Sequence, residues 1–202
     1  MKTSAKDNTS VIILCGGNSE RMNFPKCFLS VGNKTLVEQI AEKYCHAQID
    51  KPIIVLNSKF NTSKYAEILD RLSKYTVKVV NTKPQNGRVF SIKLGLKKLK
   101  NKNFCFIHNV DNPNICTTLI DNMLKNADSN TYVSPVFNGK NGHPVLIGKK
   151  IIFEILNAED EKQTLREILS SFKKNDVDSG SLNVLENINT LQDWESYLSK
   201  NN

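Results

Sequence analysis

Short apolar runs alternate with amphipathic segments of helical spacing along almost the whole chain, and this alternation constrains the fold more than any other feature. Val11-Ile12-Ile13-Leu14 is too short for a buried helix and ends at a pair of glycines, so it reads as a buried strand. Beyond the next loop, Leu36, Val37, Ile40, Ala41 and Tyr44 recur at helical spacing behind Thr35 and Glu38, a capping box that satisfies the free N–H groups of a helix start. A strand over 53–56, a helix around 65–72 and a strand over 77–80 continue the series. The pattern then predicts a helix over 89–99 and a strand over 104–110 that stops at Asp111-Asn112-Pro113, because proline cannot donate to a ladder. A helix over 115–124 follows, then strands over 132–137 and 144–147, helices over 151–156 and 164–172, a strand over 182–185 and a closing helix from Thr190. Capping boxes open the last two long helices at Thr164 with Glu167 and at Thr190 with Asp193. This order predicts an α/β protein, a three-layer α/β/α sandwich around a Rossmann-like, mostly parallel mixed sheet. Ligands are expected beyond the carboxyl ends of the strands.

Composition narrows the functional classes. The 202 residues suit one domain over 11–202 behind a flexible, polar segment 1–10. No apolar run approaches the roughly 20 residues of a bilayer span, and the first ten residues lack the apolar core of a signal peptide, so a cytoplasmic protein without membrane contact is expected. Five cysteines, an odd number without a CxxC pair, predict reduced thiols rather than a disulfide framework or a zinc knuckle. The formal charge of +8 raises the question of nucleic acid, but the lysines are spread along the chain and no nucleic-acid-binding signature accompanies them. A polyanionic small substrate fits this charge equally well, and no nucleic-acid partner is expected.

The first strand-to-helix loop reads Leu14-Cys15-Gly16-Gly17-Asn18-Ser19-Glu20-Arg21-Met22-Asn23-Phe24-Pro25-Lys26. Two glycines after a buried strand let the backbone turn sharply and aim N–H groups at an anion, while Arg21 and Lys26 add charge. A Walker A loop is excluded because Arg21 stands where its second glycine belongs, and a dinucleotide fingerprint is excluded because positions 18 and 21 are not glycine. Asp111, emerging at a strand end, is the carboxylate type that Mg²⁺ takes beside phosphates.

These residues resemble the LAGGxSxRMGxPK signature of the MobA-like nucleotidyltransferases, the family that includes the molybdenum-cofactor guanylyl- and cytidylyltransferases. Gly16, Gly17, Ser19, Arg21, Met22, Pro25 and Lys26 match, whereas Cys15 and Asn23 depart from it. Four further segments match in order, so that the resemblance covers roughly residues 10 to 200. Gly87, Ser91, Lys93, Gly95 and Leu96 look like the family's G-x-x-x-S-[IL]-[RK]-x-G-L stretch, which implies that Asn86, Gly87 and Ser91 help hold base and ribose. Asp111-Asn112-Pro113 resembles the D-x-P element whose aspartate holds Mg²⁺. Residues 139–146 look like the G-x-x-G-H-P-V-L element, which makes Gly142 and His143 acceptor-side candidates. Asn187-Ile188-Asn189-Thr190 is similar to the [DN]-[IV]-[DN]-T element, in which the first position, here Asn187, can assist the metal.

What the resemblance implies is a fold of the nucleotide-diphospho-sugar transferase type and Mg²⁺-dependent transfer of a nucleoside monophosphate from CTP or GTP to a phosphorylated acceptor, with release of pyrophosphate. Leu14, Gly16, Gly17 and Ser19 would bind the nucleotide, Arg21 and Lys26 would stabilise the triphosphate, and Asp111 would hold the metal. The acceptor is open between molybdopterin and a sugar phosphate or other small phosphate. An enzyme that handles the acceptor is a candidate partner. A cofactor-handling protein that binds nucleotide without turnover is the alternative of another class; the presence of Arg21, Lys26 and Asp111 argues against it.

Overall fold

The computed structural model describes residues 5–17, 22, 24–158 and 163–201. Its central strand, β1 (Thr9–Cys15), is buried at every position. The strand begins before the apolar run, because Thr9 and Ser10 already pair with Phe104 and Cys105 of a neighbouring strand and the Thr9 hydroxyl donates to the Ala5 carbonyl at 2.7 Å. The polar segment read as flexible up to Ser10 therefore joins the sheet at Thr9. A short hairpin of β2 (Ser30–Val31) and β3 (Lys34–Thr35) leads into α1 (Leu36–His46), where the Thr35–Glu38 capping box is formed in full. There follow β4 (Ile53–Asn57), α2 (Ala66–Ser73), β5 (Val77–Asn81), α3 (Gly87–Leu96), β6 (Phe104–Asn109), α4 (Thr117–Lys125), β7 (Thr131–Phe137), β8 (Lys140–Asn141), β9 (Val145–Gly148), α5 (Lys149–Asn157), α6 (Leu165–Ser170), β10 (Lys173–Asp178) and α7 (Leu191–Asn201).

The main sheet runs in the order β10-β7-β9-β6-β1-β4-β5, with β8 attached to β7. β1 is parallel to both β4 and β6, β5 is parallel to β4, and β10 is parallel to β7. β9 runs against both of its neighbours, β6 and β7. The sheet is thus mixed and mostly parallel. Alternate residues of β1 divide the core between two helical layers, as a period of two requires. Val11, Ile13 and Cys15 pack with Ile40 and Tyr44 of α1, Leu72 of α2, Met123 of α4 and Trp194 of α7. Ile12 and Leu14 pack with Ile92 and Leu96 of α3, Ile151 and Ile155 of α5 and Ile168 of α6. On that second face α3 lies so close to β1 that a Cβ at Gly95 would stand 2.8 Å from Ile12 Cδ1. Only glycine fits there without displacement.

Two expectations near the carboxyl end need correction. Residues Leu182–Leu185 form a 3₁₀ turn, capped by the Ser181 side chain accepting from Asn183 N–H, and not a strand. Of these four residues only Val184 is buried, so the run lacks a two-sided apolar pattern. The last strand is instead β10, Lys-Lys-Asn-Asp-Val-Asp, whose one buried residue is Val177. It lies at the sheet edge, where charged side chains discourage further pairing, and its sequence therefore carries no apolar signal.

From β1 the chain proceeds to β4 and β5 on one side, then returns to β6 on the other. The strand order reverses between β1 and β6, and in open α/β sheets this crevice beyond the carboxyl ends is where ligands bind. Among the described residues no helix is long and apolar enough to cross a membrane.

Candidate active site

A cavity of about 630 Å³ opens in that crevice, within the roughly 300–1,000 Å³ typical of small-molecule sites. Leu14, Cys15, Gly16 and Gly17 enter it from the end of β1, and Asn109, Val110 and Asp111 from the end of β6. Leu14 and Asn109 are register partners, so the parallel pairing of the two strands sets both banks of the crevice. The Gly16 carbonyl accepts from the buried Asn57 side chain at the end of β4, which holds the glycine turn against the sheet.

Lys26 opens a 3₁₀ turn over Lys26–Phe28 and lines the cavity, where its ammonium donates to Asn189 Oδ1 at 2.8 Å. Asn189 is itself fixed from behind, since the Asp193 carboxylate accepts from the backbone N–H groups of Asn189 and Thr190. The first turn of α3 supplies the third wall. Gly87 has φ 85, a conformation that favours glycine, and it lets the chain turn from the 3₁₀ segment Pro84–Asn86 into α3. Ser91, on the next turn, accepts from Asn81 Nδ2 at 3.0 Å and donates to the Gly87 carbonyl. Gly87 and Ser91 line the cavity; Asn86 sits beside them, in the turn that delivers Gly87.

Among the described residues, Asp111 is the carboxylate that lines the cavity. Its Oδ1 is buried and has no hydrogen-bond partner. Burial pushes its carboxyl above the usual carboxylate range, while Lys26, its own backbone N–H and Arg88 pull it back down. Asp111 lines the cavity together with Lys26, Arg88 and Asn109, and a carboxylate at a strand end beside two cations is the kind of donor a hard divalent cation takes. No group of three or more His, Cys, Asp or Glu side chains able to hold a metal exists among the described residues, so the donor set fits an ion held by one carboxylate and its ligand's phosphates rather than a protein cage. Cys15 and Cys27 also line the cavity. Burial raises the Cys15 thiol well above its ordinary pKa, with a hydrogen bond to Cys27 and the charges of Cys27 and Asp111 adding to the effect, which keeps it a neutral thiol.

The structure brings Leu14, Gly16, Gly17, Lys26, Gly87, Ser91 and Asp111 together around one cavity. Ser19 and Arg21 lie outside the described residues. Gly142 and His143 stand apart from the cavity wall, tied back by Gly142 N–H to the Pro135 carbonyl and His143 N–H to the Val184 carbonyl. Burial depresses the His143 pKa to about 4, and the charge of Arg88, a residue of the cavity wall, adds to this. Asn187 is not brought into the cavity. It is exposed, and its Oδ1 accepts from Asn112 Nδ2 at 2.6 Å while its Nδ2 donates to the Leu185 carbonyl. The asparagine that does face the cavity is Asn189.

Sequence reasoning missed Arg88 and Asn109 as cavity residues and left Asn189 without a role. Arg88 was legible in principle, as a cation directly after the helix-opening Gly87. Asn109 carries no signal by itself, because its place depends on where β6 ends.

The sequence model of the MobA-like NTP transferase domain matches residues 11–177 of the chain. A 2-C-methyl-D-erythritol 4-phosphate cytidylyltransferase of Petrotoga mobilis is 31% identical over 122 residues, which are 57% of this chain and 52% of that protein. The chain spans about half the length of the curated relatives it matches. Among solved structures, a nucleotidyl transferase of Methanothermobacter superposes with a TM-score of 0.76 at 16% identity, over 96% of this chain and 99% of the other. A 4-diphosphocytidyl-2C-methyl-D-erythritol synthase of Anaerococcus prevotii gives a TM-score of 0.72 at 16% identity, over 96% of each chain. The shared architecture is the nucleotide-diphospho-sugar transferase fold.

Proposed function

This chain belongs to the family of MobA-like NTP transferase domains, and we propose on that premise that it transfers a cytidylyl group from CTP to a small phosphorylated sugar alcohol, releasing pyrophosphate. The observation that carries the reading is the composition of the β1–β6 crevice. A glycine turn, Lys26 and Arg88 face one carboxylate whose Oδ1 has no partner, so the cavity offers donors and cations for a polyphosphate and a single anchor for a divalent ion.

In this account the acceptor phosphate attacks the α-phosphorus in line as the bond to the bridging oxygen breaks and pyrophosphate leaves. The N–H groups around Gly16 and Gly17 orient the phosphates, and Lys26 and Arg88 stabilise the negative charge that grows on the leaving oxygens. Arg21 is proposed for the same task. Mg²⁺, when bound, would neutralise the phosphates, with Asp111 as its protein ligand and Asn109 beside it. The reaction needs no nucleophilic side chain with an adjacent base; the buried, neutral Cys15 thiol beside the phosphates is not called on as one.

A sugar-alcohol phosphate is put first because the curated relatives are named for 2-C-methyl-D-erythritol 4-phosphate and for cytidylyl transfer. Molybdopterin is the second reading, favoured by the Gly142-His143-Pro144-Val145 element. The test is a thermal-shift panel of CTP, GTP, ATP and UTP with and without Mg²⁺. Ligand at 100 times its dissociation constant stabilises by about 2.7 kcal/mol. A shift with CTP that grows with Mg²⁺ supports the reading; a shift confined to GTP moves the base assignment, and none with any nucleotide counts against transfer.

A further inference from the structure

We propose that Asn112 is a positioning residue for Asp111, with Asn187 as the clamp that holds it; the inference rests on the metal-dependent reading given above. Asn112 is 3% exposed and every one of its polar groups is engaged. Its backbone N–H donates to the Asn109 carbonyl at 3.0 Å, closing the turn that carries Asp111. Its carbonyl accepts from His108 Nε2 at 2.7 Å, and His108 Nδ1 pairs with the buried Tyr44 hydroxyl at 2.9 Å. Because Nε2 faces a carbonyl it carries the ring hydrogen, so Nδ1 is the acceptor and Tyr44 the donor. A chain of hydrogen bonds therefore runs from α1 through β6 into the turn.

On the side-chain end, Asn112 Nδ2 donates to the Glu186 carbonyl at 3.0 Å and to Asn187 Oδ1 at 2.6 Å, and Oδ1 accepts from Asn109 Nδ2 at 3.4 Å. These orientations are not free. Asn187 Nδ2 faces the Leu185 carbonyl, which leaves its Oδ1 for Asn112, and Asn112 Nδ2 faces a second carbonyl at Glu186. The neighbouring backbone seals the same contact, with Ile188 N–H donating to the Asp111 carbonyl at 2.8 Å. Asp111 is thus gripped through its own backbone and through the residue after it, and its side chain lines the cavity with a buried Oδ1 that has no hydrogen-bond partner. A carboxylate that must meet an ion at one point loses function when misplaced by an ångström, which gives a buried amide with fixed partners its use. The oxygen of Asn187 is spent on this clamp, which gives it a role other than ligand.

The test compares wild type, Asn112→Ala, Asn187→Ala and the double variant. Mn²⁺ binding to the CTP-loaded protein is followed by electron paramagnetic resonance, and CTP binding without metal is measured separately. Each single variant should raise the Mn²⁺ concentration for half-saturation about tenfold, leave metal-free CTP binding within about threefold, and the double variant should be no worse than the worse single one. If Asn112→Ala does not fold, Asn112→Ser replaces it in the cycle, while the exposed Asn187 tolerates truncation. Unchanged Mn²⁺ binding in folded variants overturns the proposal, as does a double variant whose losses multiply, since Asn187 would then act independently. A wild type that binds neither CTP nor Mn²⁺ overturns the functional reading itself.

Discussion

Replacing Asp111 by asparagine should make the free protein more stable and the liganded protein less so. Burial is the largest influence on this carboxyl and outweighs the opposing pull of Lys26, its own N–H and Arg88, so its pKa lies above 3.8. A carboxyl raised in the folded state costs stability as pH climbs through its folded pKa, and above that value the whole cost is carried. Asparagine keeps the shape and leaves the same position without a partner, so the gain comes only from removing a buried charge. Lys26 and Arg88 then lose an attraction, which holds the net gain to about 1 kcal/mol. For a chain of this size that is a rise in Tm of roughly 2–4 °C. The same variant should lose the part of the CTP-induced shift that depends on Mg²⁺. Differential scanning fluorimetry reads both numbers in one plate. A lower Tm for the free variant, or a retained Mg²⁺-dependent shift, would refute the assignment of Asp111 as a buried carboxylate whose charge serves a cation.

Arg88→Ala should lower kcat by about 10²–10³-fold in steady-state assays while leaving the melting curve close to wild type, as the loss of a charge-stabilising donor predicts; a change within threefold removes Arg88 from the site. Gly95→Ala should destabilise by about 1–3 kcal/mol in urea titrations, because the new methyl would lie 2.8 Å from Ile12 inside a closed core; an unshifted midpoint contradicts the packing argument. Burial holds His108 at about 3 and His143 at about 4, below the ordinary 6.5. Their contribution is therefore complete above pH 6.5 and is lost on acidification toward pH 4, at about 1.4 kcal/mol per pH unit for each histidine, partly offset by protonation of Asp111. Urea midpoints that do not fall between pH 7 and 5 would count against it.

Much of this protein is legible in its sequence where one residue pattern has one physical meaning. The apolar run before Gly16, the Thr35–Glu38 and Thr164–Glu167 capping boxes and the Asp-Asn-Pro stop after β6 all form as their local chemistry dictates. β10 is not legible, because an edge strand bonded on one side can be built from lysines and aspartates, and its only buried residue is Val177. Leu182–Leu185 misleads for the opposite reason, since apolar residues there cover the surface around one anchor, Val184, without a ladder. At the site, the residues on the Gly loop and at Asp111 follow from strand ends. Asn187 and Asn189 differ only in which way a loop turns, and that is decided by Asn112 and Lys26 from distant parts of the chain. No local pattern records such a choice.

Nucleotidyl transfer is tested by the joint yield of pyrophosphate and nucleotide-linked product. The protein is incubated with Mg²⁺ and CTP, GTP, ATP or UTP in turn, with 2-C-methyl-D-erythritol 4-phosphate and molybdopterin as parallel acceptors and Lys26→Ala as the control. One pyrophosphate is expected for each nucleotidylated acceptor formed, with loss of both in the control. Nucleotide bound without pyrophosphate release, with every nucleotide and both acceptors, would contradict it.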